Sequence, residues 1–167
     1  IGGGPAGLSI AQIAELPGAK DIVLSDPSPM AQKVIREFRY TVIDPSEREL
    51  SCSTAELLGD RNFAAVFDSV GSAESMTTAL GLLEESGTYV NLAVHSVNIS
   101  LDAAALGSER TLTTSSNAFY RDLASVFELL NARTINVAPL ITHRLPLEDY
   151  ERAFELLLQS PKGAFKI

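Results

Sequence analysis

The sequence predicts a doubly wound α/β fold built on a parallel sheet. Three observations carry this. Short apolar runs alternate with helix-length segments through the first hundred residues. Those runs are continuous, as strands covered on both faces require. The chain also opens on Ile1-Gly2-Gly3-Gly4-Pro5-Ala6-Gly7, a glycine turn of the kind that joins a strand to a helix in such sheets. Only Ile1 precedes the turn, so the first strand is expected to be truncated and the sequence to be cut from something longer.

Glycines 2, 4 and 7 have the spacing G-x-G-x-x-G. The first permits a tight bend, the second lets a pyrophosphate approach the backbone, and the third lets the following helix lie close to the sheet. N–H groups at that helix N-terminus then face an anion. An ordinary glycine-rich loop is the competing reading of this motif alone.

Leu8 to Leu16 reads as a helix stopped by Pro17-Gly18. Residues 21–25 form a short buried strand ending at Asp26, which lies 19 residues beyond Gly7. A carboxylate at that distance suits the hydroxyls of an adenosine ribose; capping of the next helix is its plainer use. Ser28-Pro29 is an N-cap followed by proline at the first helical position, and Ala31, Val34, Ile35 and Phe38 make the buried stripe. Residues 40–44 are a strand and Glu47 to Leu58 a weakly patterned helix. Phe63 to Asp68 is a strand running into Ser69-Val70-Gly71, and Ser72 caps a helix with stripe Met76, Ala79, Leu80 and Leu83. Thr88 to Val94 is the next strand.

Beyond it, Val97 to Leu101 alternates as an edge strand does, and is expected to pair with its copy in a second chain. A short helix near Ala103 to Leu106, a strand from Thr111 to Ser115 and a helix striped by Leu123, Val126, Phe127 and Leu130 follow. An extended stretch, 137–147, is broken by Pro139 and Pro146. The last helix carries Tyr150, Ala153, Phe154 and Leu157.

Composition narrows the function. At 167 residues the chain can bury a core, and 46% hydrophobic with 20% charged residues is the balance of a globular α/β protein. A net charge of −8 offers no basic stripe to nucleic acid. No apolar run reaches the ~18 residues of a membrane span. One cysteine, Cys52, permits no intrachain disulfide, which points to a reducing, cytoplasmic setting.

These stretches together resemble the cofactor-binding, Rossmann-type half of medium-chain, zinc-dependent alcohol and polyol dehydrogenases, in the sorbitol-, butanediol- and threonine-dehydrogenase style. The resemblance rests on residues 2–8, 25–29, 66–71 and above all 139–147 followed by 150–154, and covers nearly the whole chain. It implies a dinucleotide-binding domain over 1–117. Residues 118–167 would be a segment returning towards a catalytic domain that is absent here. Gly2, Gly4 and Gly7, with Pro5 between them, would line the NAD pyrophosphate, and Ala6 would lie near the nicotinamide. Asp26 would hold the adenosine ribose and select NAD over NADP. Ser69, Val70 and Gly71 would contact the ribose rings, and Leu92, Ala93 and Val94 the nicotinamide. Asn117 and Ala118 would offer backbone groups to its carboxamide, and Lys166 would reach the pyrophosphate. Dimers or tetramers are the implied assembly.

The sequence departs from the family at Ala31, where a basic residue is usual, and at Arg39-Tyr40, which replaces Gly-Ala-Asp. Asn91 stands in a normally apolar strand, and Ala93 where glycine is common. One cysteine and two histidines cannot build a closed zinc site, so zinc and its Lewis-acid role are expected in the absent domain and this chain alone to be inactive. His95 either approaches the cofactor or is a solvated loop residue; His143 reads as structural. Two rivals stay open: a zinc-free, NADPH-using quinone-reductase-like enzyme, and a non-catalytic NAD-sensing module.

Overall fold

The computed structural model describes residues 1–95, 98–158 and 164–167. It contains two compact units. The first comprises Ile1–Gly2 and Pro45–Asn117, the second Gly3–Asp44 and Ala118–Ile167.

In the second unit, helix α1 (Pro5–Glu15) precedes strand β1 (Val23–Ser25), helix α2 (Pro29–Glu37) and strand β2 (Thr41–Ile43). β1 and β2 pair in parallel, Leu24 opposite Val42. Proline at the first position starts both helices, and the Ser28 hydroxyl accepts the Ala31 N–H to cap α2. The core is Leu8 and Ala11 from α1, Leu24 from β1, Ala31, Val34 and Ile35 from α2, with Tyr40 and Leu140. Ala31 therefore points into apolar packing, where a lysine or arginine would bury its charge. Burial, then a hydrogen bond to Glu15, holds the Tyr40 phenol above its ordinary range.

Arg39 follows α2 with φ +65°, a left-handed position that glycine adopts most easily. The departure from glycine there is thus a local cost. Arg39→Gly is expected to raise stability by up to about 1 kcal/mol, seen as a higher urea midpoint. A lower midpoint would mean that the arginine side chain makes a contact worth more than the strain.

Later in this unit come helix α5 (Tyr120–Asn131) and helix α6 (Tyr150–Leu158). The expected extended stretch 137–147 is instead interrupted by a 3-10 turn at Ala138–Leu140, which drives Leu140 into the core. Gln12 is buried because its side chain accepts the Asn136 N–H (2.6 Å) and donates to the Asn136 carbonyl (3.2 Å). The apolar rows of α5 and α6 remain open, with Phe127 61% and Phe154 63% exposed.

In the first unit, helix α3 (Leu50–Leu58) leads to strand β3 (Phe63–Asp68), helix α4 (Ala73–Gly81), strand β4 (Leu83–Asn91) and strand β5 (Thr111–Thr114). The order β3-β4-β5 is parallel throughout. Ser72 and Ser75 form a reciprocal capping box at the start of α4. Val66, Met76, Ala79, Leu80, Leu83 and Tyr89 form the core.

Two expectations need correction in this unit. The strand expected at 88–94 starts at Leu83, takes up a bulge between Leu83 and Thr88, and stops at Asn91. The expected edge strand at 97–101 is absent from Asn98 to Leu101, and Val97 lies outside the described residues. Its alternation arises because Ile99 and Leu101 dock on the core. β5, beyond the strands on which the covered sheet is predicted, is exposed along its length. No helix among the described residues is long and apolar enough to cross a membrane.

Candidate functional site

Asp26 and the glycine turn meet in the second unit. The Asp26 carboxylate accepts the Gly3 N–H through one oxygen and the Ser28 N–H through the other, both at 2.8 Å. Each oxygen keeps a lone pair for a further donor. The carboxylate therefore ties the turn to the tip of β1 and at the same time orders the entry to α2. Gly3 is the glycine that sequence spacing passes over. A Cβ there would collide with Ile35 and come within 3.0 Å of the Asp26 Cβ. Its signal in the sequence is the unbroken run of three glycines.

At Gly4 nothing lies within 4 Å of a built Cβ. Internal packing therefore does not demand glycine here, whereas close approach of a ligand to the backbone would. Leu8 is the first α1 residue shown bonding back along the helix, to the Gly4 carbonyl at 3.0 Å. Pro5 has no N–H, and the Ala6 and Gly7 amides belong to the first turn, which has no carbonyl four residues earlier in the helix. No side chain caps this end. The arrangement suits an anion.

Further along this unit, Ala118 and Lys166 are exposed. Lys166 is tied down through its backbone: its carbonyl accepts the Thr142 N–H at 2.9 Å, and the Thr142 hydroxyl accepts the Phe165 N–H at 2.9 Å. The half-buried His143 sets its Nδ1 2.9 Å from that same hydroxyl, a structural placement.

The first unit holds the remaining expected residues. A Cβ on Gly2 would strike the Ser69 hydroxyl, so the start of the glycine turn lies against Ser69. Gly71 is buried, has φ +65°, and would drive a Cβ into that of Ala93. Ser69–Gly71 and Leu92–Val94 are thus adjacent turns. Leu92 and Ala93 are half-buried, while Val94 is 84% exposed. His95 is exposed, with its ring edge 3.4 Å from the built Gly71 Cβ. Asn117 is exposed and left-handed at φ +63°, a conformation asparagine tolerates.

Sequence reasoning missed the group beneath these turns. Asp68, at the end of β3, is fully buried, and its carboxylate accepts the N–H groups of Val70 (2.8 Å) and Gly71 (3.0 Å). It also accepts the hydroxyls of Ser75 (2.7 Å) and Tyr89 (2.9 Å). Burial, then the bond to Asp68, keeps the Tyr89 phenol far above its ordinary range, so it stays a donor. Among the described residues no group of three or more His, Cys, Asp or Glu could hold a metal ion.

Comparison with known proteins agrees with this architecture. A family model described as zinc-binding dehydrogenase matches residues 5–132. L-galactonate-5-dehydrogenase of Escherichia coli is 29% identical over 158 residues, covering 91% of this chain and 46% of the relative. Mouse sorbitol dehydrogenase is 29% identical over 170 residues, covering 92% and 44%. A solved structure described as short chain alcohol dehydrogenase from Escherichia coli CFT073, complexed with cofactor NADH, superposes with a TM-score of 0.88 at 20% identity. It covers 98% of this chain and 48% of its own. The chain thus spans about half the length of the curated relatives it matches.

Proposed function

The chain belongs to the zinc-binding dehydrogenase family, and from that premise we propose that it is the NAD-binding portion of an oxidoreductase acting between NAD and a secondary alcohol or polyol. Asp26 is the observation that carries this reading. Its carboxylate stands at the tip of β1, bonded to the glycine turn through Gly3, with the open backbone of Gly4 next in sequence.

NAD, when bound, accepts or returns a hydride at its nicotinamide. The chain's own residues bind and orient. The amides of Ala6 and Gly7, beside Gly2, Gly4 and Pro5, would take the pyrophosphate, with Lys166 as its counter-charge. Asp26 would accept the adenosine ribose hydroxyls and repel a 2′-phosphate. Ser69, Val70 and Gly71 would contact ribose, while Leu92, Ala93 and Val94 would lie against the nicotinamide and Asn117 and Ala118 bond its carboxamide.

The described residues do not form a metal site. We assign zinc and the alcohol pocket to a part of the full-length protein outside this chain, with 118–167 leading back towards it. The open apolar rows of α5 and α6 support that assignment, because such faces are normally covered. A second copy of the chain is the proposed protein partner. β5, with its uncharged residues Thr111-Leu112-Thr113-Thr114, is the edge that could recruit it. We place the protein in the cytoplasm on its one free cysteine, which cell fractionation would check.

NADH fluorescence titration of this chain tests the cofactor reading. NADH is expected to bind in the micromolar range or weaker, NADPH at least about tenfold more weakly, and no alcohol to be oxidised. Preference for NADPH would overturn it in favour of a quinone-reductase-like enzyme. A full-length protein that binds NAD without turnover would favour a sensor. Light scattering of the same sample reads the copy number, and a monomer at all micromolar concentrations would remove the edge-pairing proposal.

A further inference from the structure

Two neighbouring strands of the first unit end on polar side chains that fold the turns after them. Asp68 closes β3, Asn91 closes β4, and the two are partners across the parallel ladder. The Asp68 Oδ1 gathers the Val70 and Gly71 amides. The Asn91 Oδ1 accepts the Ala93 N–H at 3.0 Å. Gly71 then packs directly on Ala93, and its built Cβ would lie 3.1 Å from the Asn91 Oδ1. The turns are therefore set against each other as well as held from below.

A fold alone does not call for these residues. An apolar side chain at 91 would suit a half-buried strand position better than asparagine. A carboxylate at 68 is fully buried and its hydrogen-bond partners are all uncharged, a costly placement unless every lone pair is used. Here four donors meet its two oxygens. The Ser75 and Tyr89 hydroxyls fix the Oδ2, so the Oδ1 is aimed at the turn amides. Ser75 in turn accepts the Ser72 N–H at 2.9 Å, which anchors the carboxylate to the start of α4.

We propose that Asp68 and Asn91 are a pair of positioning residues, whose side-chain oxygens preset the 69–71 and 92–94 turns for the ribose and nicotinamide of the bound cofactor. This rests on the NAD reading above. Neither side chain is assigned a contact with the cofactor; both act through the amides they hold.

The decisive comparison uses valine and threonine at position 91. They have nearly the same shape and suit a strand, but only threonine keeps an oxygen able to accept an N–H two residues on. Asn91→Val is expected to weaken NADH binding about fivefold, and Asn91→Thr to stay within about twofold of the parent, with similar melting temperatures. Asp68→Asn, which sets an amide N–H₂ against the hydroxyls, is expected to weaken NADH about tenfold or more. In the absence of cofactor, amide hydrogen exchange should quicken at Ala93 in the valine variant and at Val70 and Gly71 in Asp68→Asn. The proposal falls if Asn91→Val binds NADH like the parent or if valine and threonine behave alike. If Asp68→Asn does not fold, the position-91 pair still decides. A parent chain that binds no NADH overturns the cofactor reading itself. Exchange at Ala93 then shows whether the clamp alone stands.

Discussion

Asp26→Ala is expected to weaken NADH binding at least about tenfold, while NADPH binding holds or improves. Hydrogen bonds to a charged acceptor contribute about 1.5–3 kcal/mol each, and 1.4 kcal/mol is a factor of ten in affinity. The carboxylate also has an internal task, so the loss has two sources. Without it the Gly3 and Ser28 amides lose their acceptor, and the glycine turn is no longer tied to β1. Repulsion of a 2′-phosphate disappears at the same time, which is why the ratio of the two affinities should shift towards NADPH. Parallel titrations with NADH and NADPH decide the matter, and an unchanged ratio of the two affinities would remove Asp26 from the site.

Leu8→Ala should be among the most damaging single truncations for the fold of the second unit. Leu8 is fully buried where α1 meets Leu24, Ile35 and their neighbours. Emptying such a site costs about 2–5 kcal/mol, because lost transfer energy is joined by a cavity the surroundings only partly fill. Against a typical total of about 5–15 kcal/mol this is a large fraction. Urea unfolding reads it as a lower midpoint, and cofactor binding should fail with it, since the amides proposed to take the pyrophosphate stand at the start of α1. A loss below about 1 kcal/mol would show that the helix can settle into the gap.

The elements that the sequence announces are those governed by neighbours in the chain. Ser28-Pro29 starts α2 as expected, and the apolar run Phe63 to Asp68 is β3 residue for residue. What stays hidden depends on distant partners. Leu92-Ala93-Val94 continues an apolar run, yet the strand stops one residue earlier because the Asn91 side chain takes the Ala93 amide. Gln12 looks like a surface helix residue until Asn136, 124 positions later, occupies both ends of its amide. Asp68 resembles any acidic residue closing a strand, and only the approach of Tyr89 and Ser75 makes it a buried hub. Of the candidate site, the glycine spacing and Asp26 were legible. The reason for Gly3 was not, because it lies in the approach of Ile35 from α2 and of Asp26 after β1.

The two middle glycines of the turn answer to different selections. At position 3 a Cβ would force Ile35 to shift and crowd Asp26, so packing itself favours glycine. At position 4 it does not. Gly4 is the N-cap of α1, its backbone is extended at φ −65° and ψ −175°, and no side-chain cap is made. Serine, aspartate or asparagine would fit that conformation and cap the helix for a few tenths of a kcal/mol, roughly, over glycine. A population selected only for stability would drift away from glycine at position 4 and keep it at position 3. Glycine at position 4 is thus what the proposed pyrophosphate site would ask for and what stability alone would not.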